Sequence, residues 1–303
     1  MSEQRANAQR YLVVGASGLV GGEFVRRARA RGHEVVGTAR RVFGEASSAL
    51  DLEDRAAVAH AAAEVAPDVV VVCSAWPYVD GCEQDPARSH RENVATVQNL
   101  ADALAAPREG RTARIVFYST DHVFDGTKPG ATYVESDPVR PPSVYARHKR
   151  EAEEVLLARG NALIVRTAWV FGAELRKKNF VYRVIDLSRS GGFLKVPRGQ
   201  AGCPTWSGWL CESTLTLLER GETGVVHLTG ARAFTKAEWA RTIVQCLELP
   251  PLRIEEMDAA ASGQVAPRPD RVGLASERHE LAQGPVDEIL RAERMHLLDG
   301  PAG

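Results

Sequence analysis

The chain has 303 residues, enough for one large α/β domain or for two unequal ones. Its formal net charge is -1 and its lysines and arginines are dispersed, so we expect no nucleic-acid partner. No apolar run reaches membrane-spanning length, no secretion-signal pattern opens the chain, and the five cysteines lack paired spacing. These features predict a cytoplasmic protein with reduced cysteines and no membrane association. His, Asp and Glu do not cluster at metal-ligand spacing in the sequence, so we expect no catalytic metal.

The first apolar run, Tyr11 to Val14, leads directly into a turn with three spaced glycines and then into a helical pattern over 22–31. In such a turn Gly15 allows the tight bend, Gly18 lets the backbone approach a pyrophosphate, and Gly21 lets the helix pack closely. The alternative is a purely structural strand-to-helix turn. The pattern predicts a dinucleotide site formed by Gly15, Ser17, Gly18, Leu19, Val20 and Gly21.

The next predicted strand, 34–39, ends without the acidic residue that would accept hydrogen bonds from an adenosine ribose. Arg40 and Arg41 follow it, and a guanidinium suits a 2′-phosphate, which favours NADPH over NADH. The alternative is a pair of solvated surface arginines. Asp51 and Leu52 are predicted to touch the adenine ring, unless Asp51 caps the following helix.

Short β patterns and longer amphipathic helices then alternate, which is typical of a doubly wound parallel sheet of the Rossmann type. We expect residues 1–172 to form an NADP(H)-binding Rossmann domain and residues 173–303 a smaller C-terminal α/β substrate-binding region. A strand near 225–229 is a candidate to return to the main sheet. The other strands are predicted over 68–75, 113–119, 162–170 and 193–196, and the other helices over 54–66, 86–105, 143–159, 179–190 and 235–248.

Tyr145 and Lys149 are four residues apart on a predicted helix, so they share one face. A nearby ammonium lowers the pKa of a phenol, and the tyrosine can then donate a proton to a carbonyl being reduced. The same lysine can hold the nicotinamide ribose. Thr120 ends a predicted strand, where its hydroxyl can orient that carbonyl. The alternatives are an ordinary exposed helix pair and a hydroxyl that only satisfies a turn.

These residues belong to an ordered series of motifs, and over nearly its whole length the chain resembles the extended short-chain dehydrogenases/reductases. Within them it resembles the dTDP-4-dehydrorhamnose reductase family of sugar-nucleotide-binding proteins. The resemblance implies that Thr120, Tyr145 and Lys149 are the catalytic group. The motifs are Ser119-Thr120-Asp121-His122-Val123-Phe124-Asp125-Gly126, Arg166-Thr167-Ala168-Trp169-Val170-Phe171-Gly172, Asn179-Phe180, Gly202-Cys203-Pro204-Thr205 and Arg268-Pro269.

The resemblance also implies further cofactor and substrate contacts. On the cofactor side these are Ser74, Ala75 and Asn93, in addition to Tyr145 and Lys149. On the substrate side they are Trp76, Val79, Asp80, Thr120, Asp121, His122, Trp169, Asn179, Gln200, Thr205 and Arg268. Several have a simpler alternative, such as a helix-face role for Asn93, an N-cap for Asn179, a turn hydroxyl for Thr205 or a surface charge for Arg268.

The activity implied is the NADPH-dependent reduction of the 4-keto group of a nucleotide-linked 4-keto-6-deoxy sugar, with dTDP as the expected nucleotide. His122 stands where the family has a tyrosine. A related 4-keto-6-deoxy sugar is therefore at least as good a candidate substrate as the rhamnose precursor. The alternatives are an NAD(P)-dependent sugar-nucleotide epimerase and a non-catalytic regulatory subunit, as found for methionine adenosyltransferase. A dehydratase is disfavoured because no second carboxylate follows Asp121. The sequence does not decide between a monomer and a homodimer.

Overall fold

The computed structural model describes residues 8–107, 110, 112–130 and 132–300. The chain folds into two compact units, each assembled from separate segments. Unit 1 takes the described residues within 1–119, 144–165 and 211–226, and unit 2 takes those within 120–143, 166–210 and 227–303. The sequence predicted a single boundary after residue 172. It could not predict the interleaving, because alternating strand and helix patterns do not show in which unit each segment packs.

The strands are of two kinds, longer ones that form one large sheet and short ones that pair locally. They are β1 Arg10–Val14, β2 Glu34–Ala39, β3 Ser48–Ala49, β4 Val69–Val72, β5 Arg114–Thr120, β6 Thr132–Tyr133, β7 Ala162–Thr167, β8 Val170–Phe171, β9 Phe193–Pro197, β10 Ala201–Gly202, β11 Thr205–Trp206, β12 Gly224–His227, β13 Phe234–Thr235, β14 Arg253–Met257 and β15 Gly273–Leu274.

The helices alternate with the strands through the first half of the chain. They are α1 Leu19–Ala30, α2 Arg55–Val65, α3 Val79–Gln84, α4 Pro86–His90, α5 Thr96–Ala103, α6 Val144–Leu157, α7 Phe180–Arg189, α8 Ser207–Glu219, α9 Lys236–Cys246, α10 Val286–Ala292 and α11 Arg294–Asp299. In the described part of the chain, none of them combines the length and the apolar character that a membrane crossing requires.

The large sheet has seven strands in the order β12-β7-β5-β4-β1-β2-β3. β1 pairs in parallel with β2 and β4, and β4 pairs in parallel with β5. Every residue of β4 is a buried valine, as expected for a parallel strand covered on both faces. The order reverses at β1 and β4, which is where open α/β sheets bind ligands. The predicted Rossmann fold class is confirmed.

Unit 2 is built around short strand pairs, β9 with β14, β10 with β13, β8 with β11 and β6 with β15. Its apolar core centres on Trp239, which makes ring contacts with Phe171 and Phe234. The sequence pattern showed α7, β9 and α9 in this region. It did not show the two-residue strands, because such short pairs carry no periodicity.

Apart from shifts of one or two residues, four predicted elements differ from the structure. The strand expected over 68–75 ends at Val72. α1 begins at Leu19 and not near Gly22. The helix expected over 86–105 is interrupted by a π-helical turn, Arg91–Ala95. The strand expected over 162–170 stops at Thr167, and Trp169 adopts a left-handed backbone with φ 42°. A left-handed residue cannot continue a strand, so the chain resumes separately as β8.

Candidate active site

The glycine turn after β1 is held tightly against two neighbouring segments of unit 1. Gly15 has φ 87°, and its amide donates to the carbonyl of Thr38 at 2.8 Å. A Cβ on Gly15 would lie 2.7 Å from the amide nitrogen of Ser74, and one on Gly21 would lie 2.3 Å from the carbonyl oxygen of Gly15. Only glycine fits at both positions, which is the close packing that the sequence pattern requires.

The amino end of α1 fits the diphosphate of a dinucleotide. Within the described residues no side chain caps this helix, whose N-cap is Gly18. A Cβ on Gly18 would meet only the carbonyl oxygen of Gly15, at 3.4 Å, so the approach to the backbone is open. Uncapped amides and the positive end of a 12-residue helix attract an anion. Ser17, Leu19 and Val20 are partly exposed on the same turn.

Arg40 follows β2 directly and is surrounded by carboxylates. Its guanidinium lies 3.3 Å from Glu53, 3.7 Å from Glu92 and 3.9 Å from Asp51, with 56% of the side chain exposed. A bound 2′-phosphate would therefore share Arg40 with these acids. Arg41 is exposed.

The two other residues predicted at the adenine side have local contacts of their own. The Asp51 carboxylate accepts from the amide of Glu53 at 3.1 Å, and the carbonyl of Leu52 accepts from Asn99 at 2.8 Å. The N-cap of α2 is Asp54, so the alternative that Asp51 caps this helix is wrong.

Asn93 fixes the loop that follows β4. It is buried within the π-helical turn, and its Oδ1 accepts from the amide of Trp76 at 2.8 Å. Its Nδ2 donates to the carbonyl of Trp76 at 3.2 Å and to Ser89 at 3.3 Å. This side chain positions the segment that carries Ser74, Ala75 and Trp76. π-helical turns inside helices are frequent at functional sites.

Tyr145 and Lys149 lie on α6, with only 9% and 3% of their surface exposed. The carboxylate of Glu83 accepts from the amide of Val144 at 2.9 Å and so caps the amino end of this helix. Tyr145 belongs to a small apolar cluster with Cys82 and Val144, against which Trp76 and Val79 pack. The loop after β4 and the start of α6 are thus fixed to each other within unit 1.

Lys149 is buried in an unusual environment for an ammonium. Its Nζ donates to the carbonyl of Tyr118 at 2.7 Å and lies 3.7 Å from the ring centroid of Phe117. Burial lowers the pKa of Lys149 to about 7, and the nearby carboxylate of Glu153 opposes this change. Lys149 therefore changes charge near neutral pH.

Thr120 ends β5 and opens a single 3-10 turn, Asp121–Val123, in unit 2. Its hydroxyl donates to the carboxylate of Asp121 at 3.1 Å and accepts from the amide of His122 at 3.1 Å. His122 is partly buried, and burial lowers its pKa. The attraction of Asp121 opposes this decrease, while the charges of Arg268 and Lys236 reinforce it.

Lys236 was missed by sequence reasoning, because a single lysine after a turn carries no motif. It is the first residue of α9, whose amino end is fixed by a capping box formed by Thr235 and Glu238. Its Nζ lies 3.4 Å from the ring centroid of Trp169 and 4.9 Å from that of Phe180. Burial lowers the pKa of Lys236 to about 7, opposed by the charge of Asp121.

Trp169 is held in place by Gly202 as well as by its own strained backbone. A Cβ on Gly202 would lie 2.6 Å from Cε2 of Trp169, so the ring occupies the space that any other residue would need. A non-glycine residue with positive φ is a costly conformation that persists where the surroundings fix it. Trp169 and Lys236 therefore form a defined pair on unit 2.

The remaining predicted substrate residues have local partners. Asn179 is the N-cap of α7 and accepts from the amide of Val181 at 3.1 Å. Thr205 has 0% exposure. Its hydroxyl donates to the carbonyl of Cys203 and accepts from the amide of Gly230. Both follow the simpler alternatives, so we leave Thr205 and Asn179 out of the proposed substrate contacts.

Two others are held by hydrogen bonds within unit 2. Gln200 exchanges two hydrogen bonds with Gln264, at 2.8 and 3.1 Å, which fixes its amide. Arg268 is partly exposed and donates to the carbonyl of Ala266 at 3.1 Å. Among the described residues, no group of three or more His, Cys, Asp and Glu side chains is arranged to hold a metal ion.

The strand order and the glycine turn are those of a Rossmann-fold, dinucleotide-binding protein. The family model described as the RmlD substrate binding domain matches residues 9–297, and the chain belongs to that family. This confirms the predicted membership of the dTDP-4-dehydrorhamnose reductase group.

Curated relatives and solved structures agree with this membership. The chain is 34% identical over 271 residues to a probable dTDP-4,6-dihydroxy-2-methyloxan-3-one 4-ketoreductase of Streptomyces antibioticus, covering 89% of this chain and 88% of the relative. It is 33% identical over 274 residues to a dTDP-4-dehydrorhamnose reductase of Mycolicibacterium smegmatis, covering 89% and 79%. A dTDP-4-dehydrorhamnose reductase structure from Clostridium acetobutylicum has a TM-score of 0.84 at 28% identity, covering 95% and 99%.

Proposed function

We propose that this protein is an NADPH-dependent oxidoreductase that reduces the 4-keto group of a dTDP-linked 4-keto-6-deoxy sugar. The observation that carries the proposal is the buried pair Tyr145 and Lys149 on a capped helix, in a chain of this family. The relatives from Streptomyces antibioticus and Mycolicibacterium smegmatis are named for reductions of this type. A third relative, 32% identical over 265 residues, is named as the dTDP-4-keto-6-deoxy-D-glucose reductase of Streptomyces niveus.

The residues of unit 1 fit the cofactor. NADPH, when bound, supplies the hydride that reaches the carbonyl carbon. The uncapped amides at the start of α1 would hold its diphosphate, because Gly15, Gly18 and Gly21 keep side chains away from that end. Arg40 and Arg41 would hold the 2′-phosphate, which distinguishes NADPH from NADH.

The proton and the orientation come from side chains of this chain. Tyr145 donates its phenolic proton to the carbonyl oxygen as the new C–H bond forms. Lys149 favours this transfer because its ammonium stabilises the phenolate that results. Thr120, whose hydroxyl is already held at the end of β5, orients the same oxygen.

Unit 2 supplies positive charge for the substrate. Lys236 and Arg268 are cations of unit 2, and the charge of each lowers the pKa of His122. We infer that they attract the diphosphate of the nucleotide sugar. The ring of Trp169 under Lys236 keeps that ammonium in one place.

The direct test is to incubate the purified protein with NADPH and a panel of dTDP-, GDP- and UDP-linked 4-keto-6-deoxyhexoses. We expect stoichiometric oxidation of NADPH with a dTDP-linked sugar and slower oxidation of NADH. Conversion of the sugar without net cofactor consumption would indicate an epimerase. A stable partner enzyme, with no oxidation for any sugar, would indicate a regulatory subunit.

The homodimer and the cytoplasmic location stay predictions. All five cysteines are free thiols in the structure. Light scattering of the purified protein tests the oligomeric state, and fractionation of the source cells tests the location.

A further inference from the structure

We propose that Glu153 is a positioning residue that keeps Lys149 in its ammonium form, an inference that rests on the proposed function. Glu153 lies four residues after Lys149 on α6, so the two side chains share one face of the helix. No motif in the sequence marked it. Its role would be exerted through Lys149 and not by contact with substrate or cofactor.

The carboxylate of Glu153 is built into the core of unit 1. It has 0% exposure, and one of its oxygens accepts from the hydroxyl of Ser119 at 2.5 Å. The other lies 3.1 Å from the guanidinium of Arg150. A buried carboxylate with donors on both oxygens is stabilised in its ionised form. Glu153 thus places a hydrogen-bonded carboxylate one helical turn from Lys149.

The two groups described in contact with Nζ of Lys149 carry no charge. The carbonyl of Tyr118 accepts from Nζ, and the ring of Phe117 lies beneath it. Burial raises the pKa of the Cys73 thiol after β4 and of the Tyr118 phenol in β5, so both are neutral at physiological pH. Among the described residues, Glu153 is the acidic side chain whose charge acts on Lys149.

The consequence concerns the pH range of activity. A buried ammonium without a counter-charge loses its proton readily, because burial disfavours the charged form. Once Lys149 is neutral, its charge no longer stabilises the phenolate of Tyr145. Replacing Glu153 by the isosteric glutamine removes the charge, keeps the volume, and should move the loss of activity to lower pH.

The first readout is the pKa of Lys149 itself, measured by NMR of protein labelled with [ε-13C]lysine. The chain has six lysines, and the Lys149 signal is assigned with Lys149→Met. We expect Glu153→Gln to lower this pKa by about one pH unit or more. Lys236 in unit 2 is an internal control whose pKa should not move. An unchanged Lys149 pKa in Glu153→Gln overturns the proposal.

The second readout is the pH profile of kcat/KM. We expect its alkaline limb to move to lower pH in Glu153→Gln by the amount seen in the NMR titration, with activity recovered at low pH. Ser119→Ala removes a hydrogen bond to Glu153 but not its charge. The alkaline limb of the kcat/KM profile of this variant should therefore match that of the wild type. Equal loss at every pH in Glu153→Gln also overturns the charge role.

The two proposals fail in distinguishable ways. A wild-type protein that oxidises no NADPH contradicts the proposed reductase, and the NMR titration still decides the role of Glu153. An active wild type whose profile and Lys149 pKa match those of Glu153→Gln contradicts the role of Glu153 alone.

Discussion

Two lysines that are enclosed by protein, Lys149 in unit 1 and Lys236 in unit 2, differ in the acid that opposes their loss of charge. For Lys149 this acid is Glu153, and for Lys236 it is Asp121. Burial lowers both pKa values to about 7, far below that of a solvated lysine. Each lysine is therefore charged well below pH 7 and loses its charge as the pH rises through about 7.

Replacing Lys236 by methionine should raise KM for the nucleotide sugar about tenfold, or about 1.4 kcal/mol, with little change in kcat. The reason is that Lys236 is proposed to attract the diphosphate and not to take part in the chemistry. In the wild type KM should also rise as the pH passes about 7, since the ammonium is lost there. Michaelis kinetics across this pH range test both expectations.

Lys195→Met is the matched control, because Lys195 is an exposed lysine of the same unit. It should leave KM and its pH dependence unchanged. A Lys236→Met variant with normal KM and reduced kcat would contradict the proposed binding role.

Local spacing predicted some residues of the candidate site and missed others. Each predicted pair lies within one short motif, as Gly15 with Gly21 and Tyr145 with Lys149 do. Sequence spacing alone therefore predicts that the two members act together. Glu83 caps a helix 61 positions later, and the partner of Glu153 is Ser119, 34 positions earlier. Contacts between residues so far apart depend on the packing of α3, α6 and β5, which one sequence does not show.

At the scale of elements, the amino end of α6 depends on a side chain from α3. Glu83→Gln should lower the free energy of unfolding by about 1 kcal/mol, because a neutral amide accepts more weakly from the amide of Val144. Urea denaturation measures this loss. Glu64→Gln is the control, since Glu64 is an exposed residue whose surface pair with His60 contributes little. A loss no larger than that of the control would contradict the capping role.

The elements themselves were largely predictable because each buries an apolar face with its own period. The β2 strand, Glu34–Ala39, has the predicted bounds, and α2 differs by one residue at each end. Prediction failed where a local conformation overrides periodicity. Trp169 with its left-handed backbone ends β7 early, and the π-helical turn around Asn93 interrupts a helix whose pattern continues.

At the scale of the whole molecule, the two units each have a core of their own. One lies around the large sheet, with Leu12, Val70 and Ile115 among its members, and the other around Trp239. The chain first passes from unit 1 to unit 2 between Ser119 and Thr120, the last two residues of β5. Fold class followed from the alternation of elements, while the interleaving of the units depends on long-range packing.

Deuterium transfer tests the central claim most directly. The protein is incubated with NADPH carrying deuterium at C4 of the nicotinamide and with a dTDP-linked 4-keto-6-deoxy sugar, and the product is analysed by NMR and mass spectrometry. We predict one deuterium at C4 of the sugar for each NADPH consumed. Tyr145→Phe should slow this transfer by about a hundredfold or more while still binding NADPH. A sugar epimerised without deuterium, or a Tyr145→Phe variant as fast as the wild type, would contradict the account.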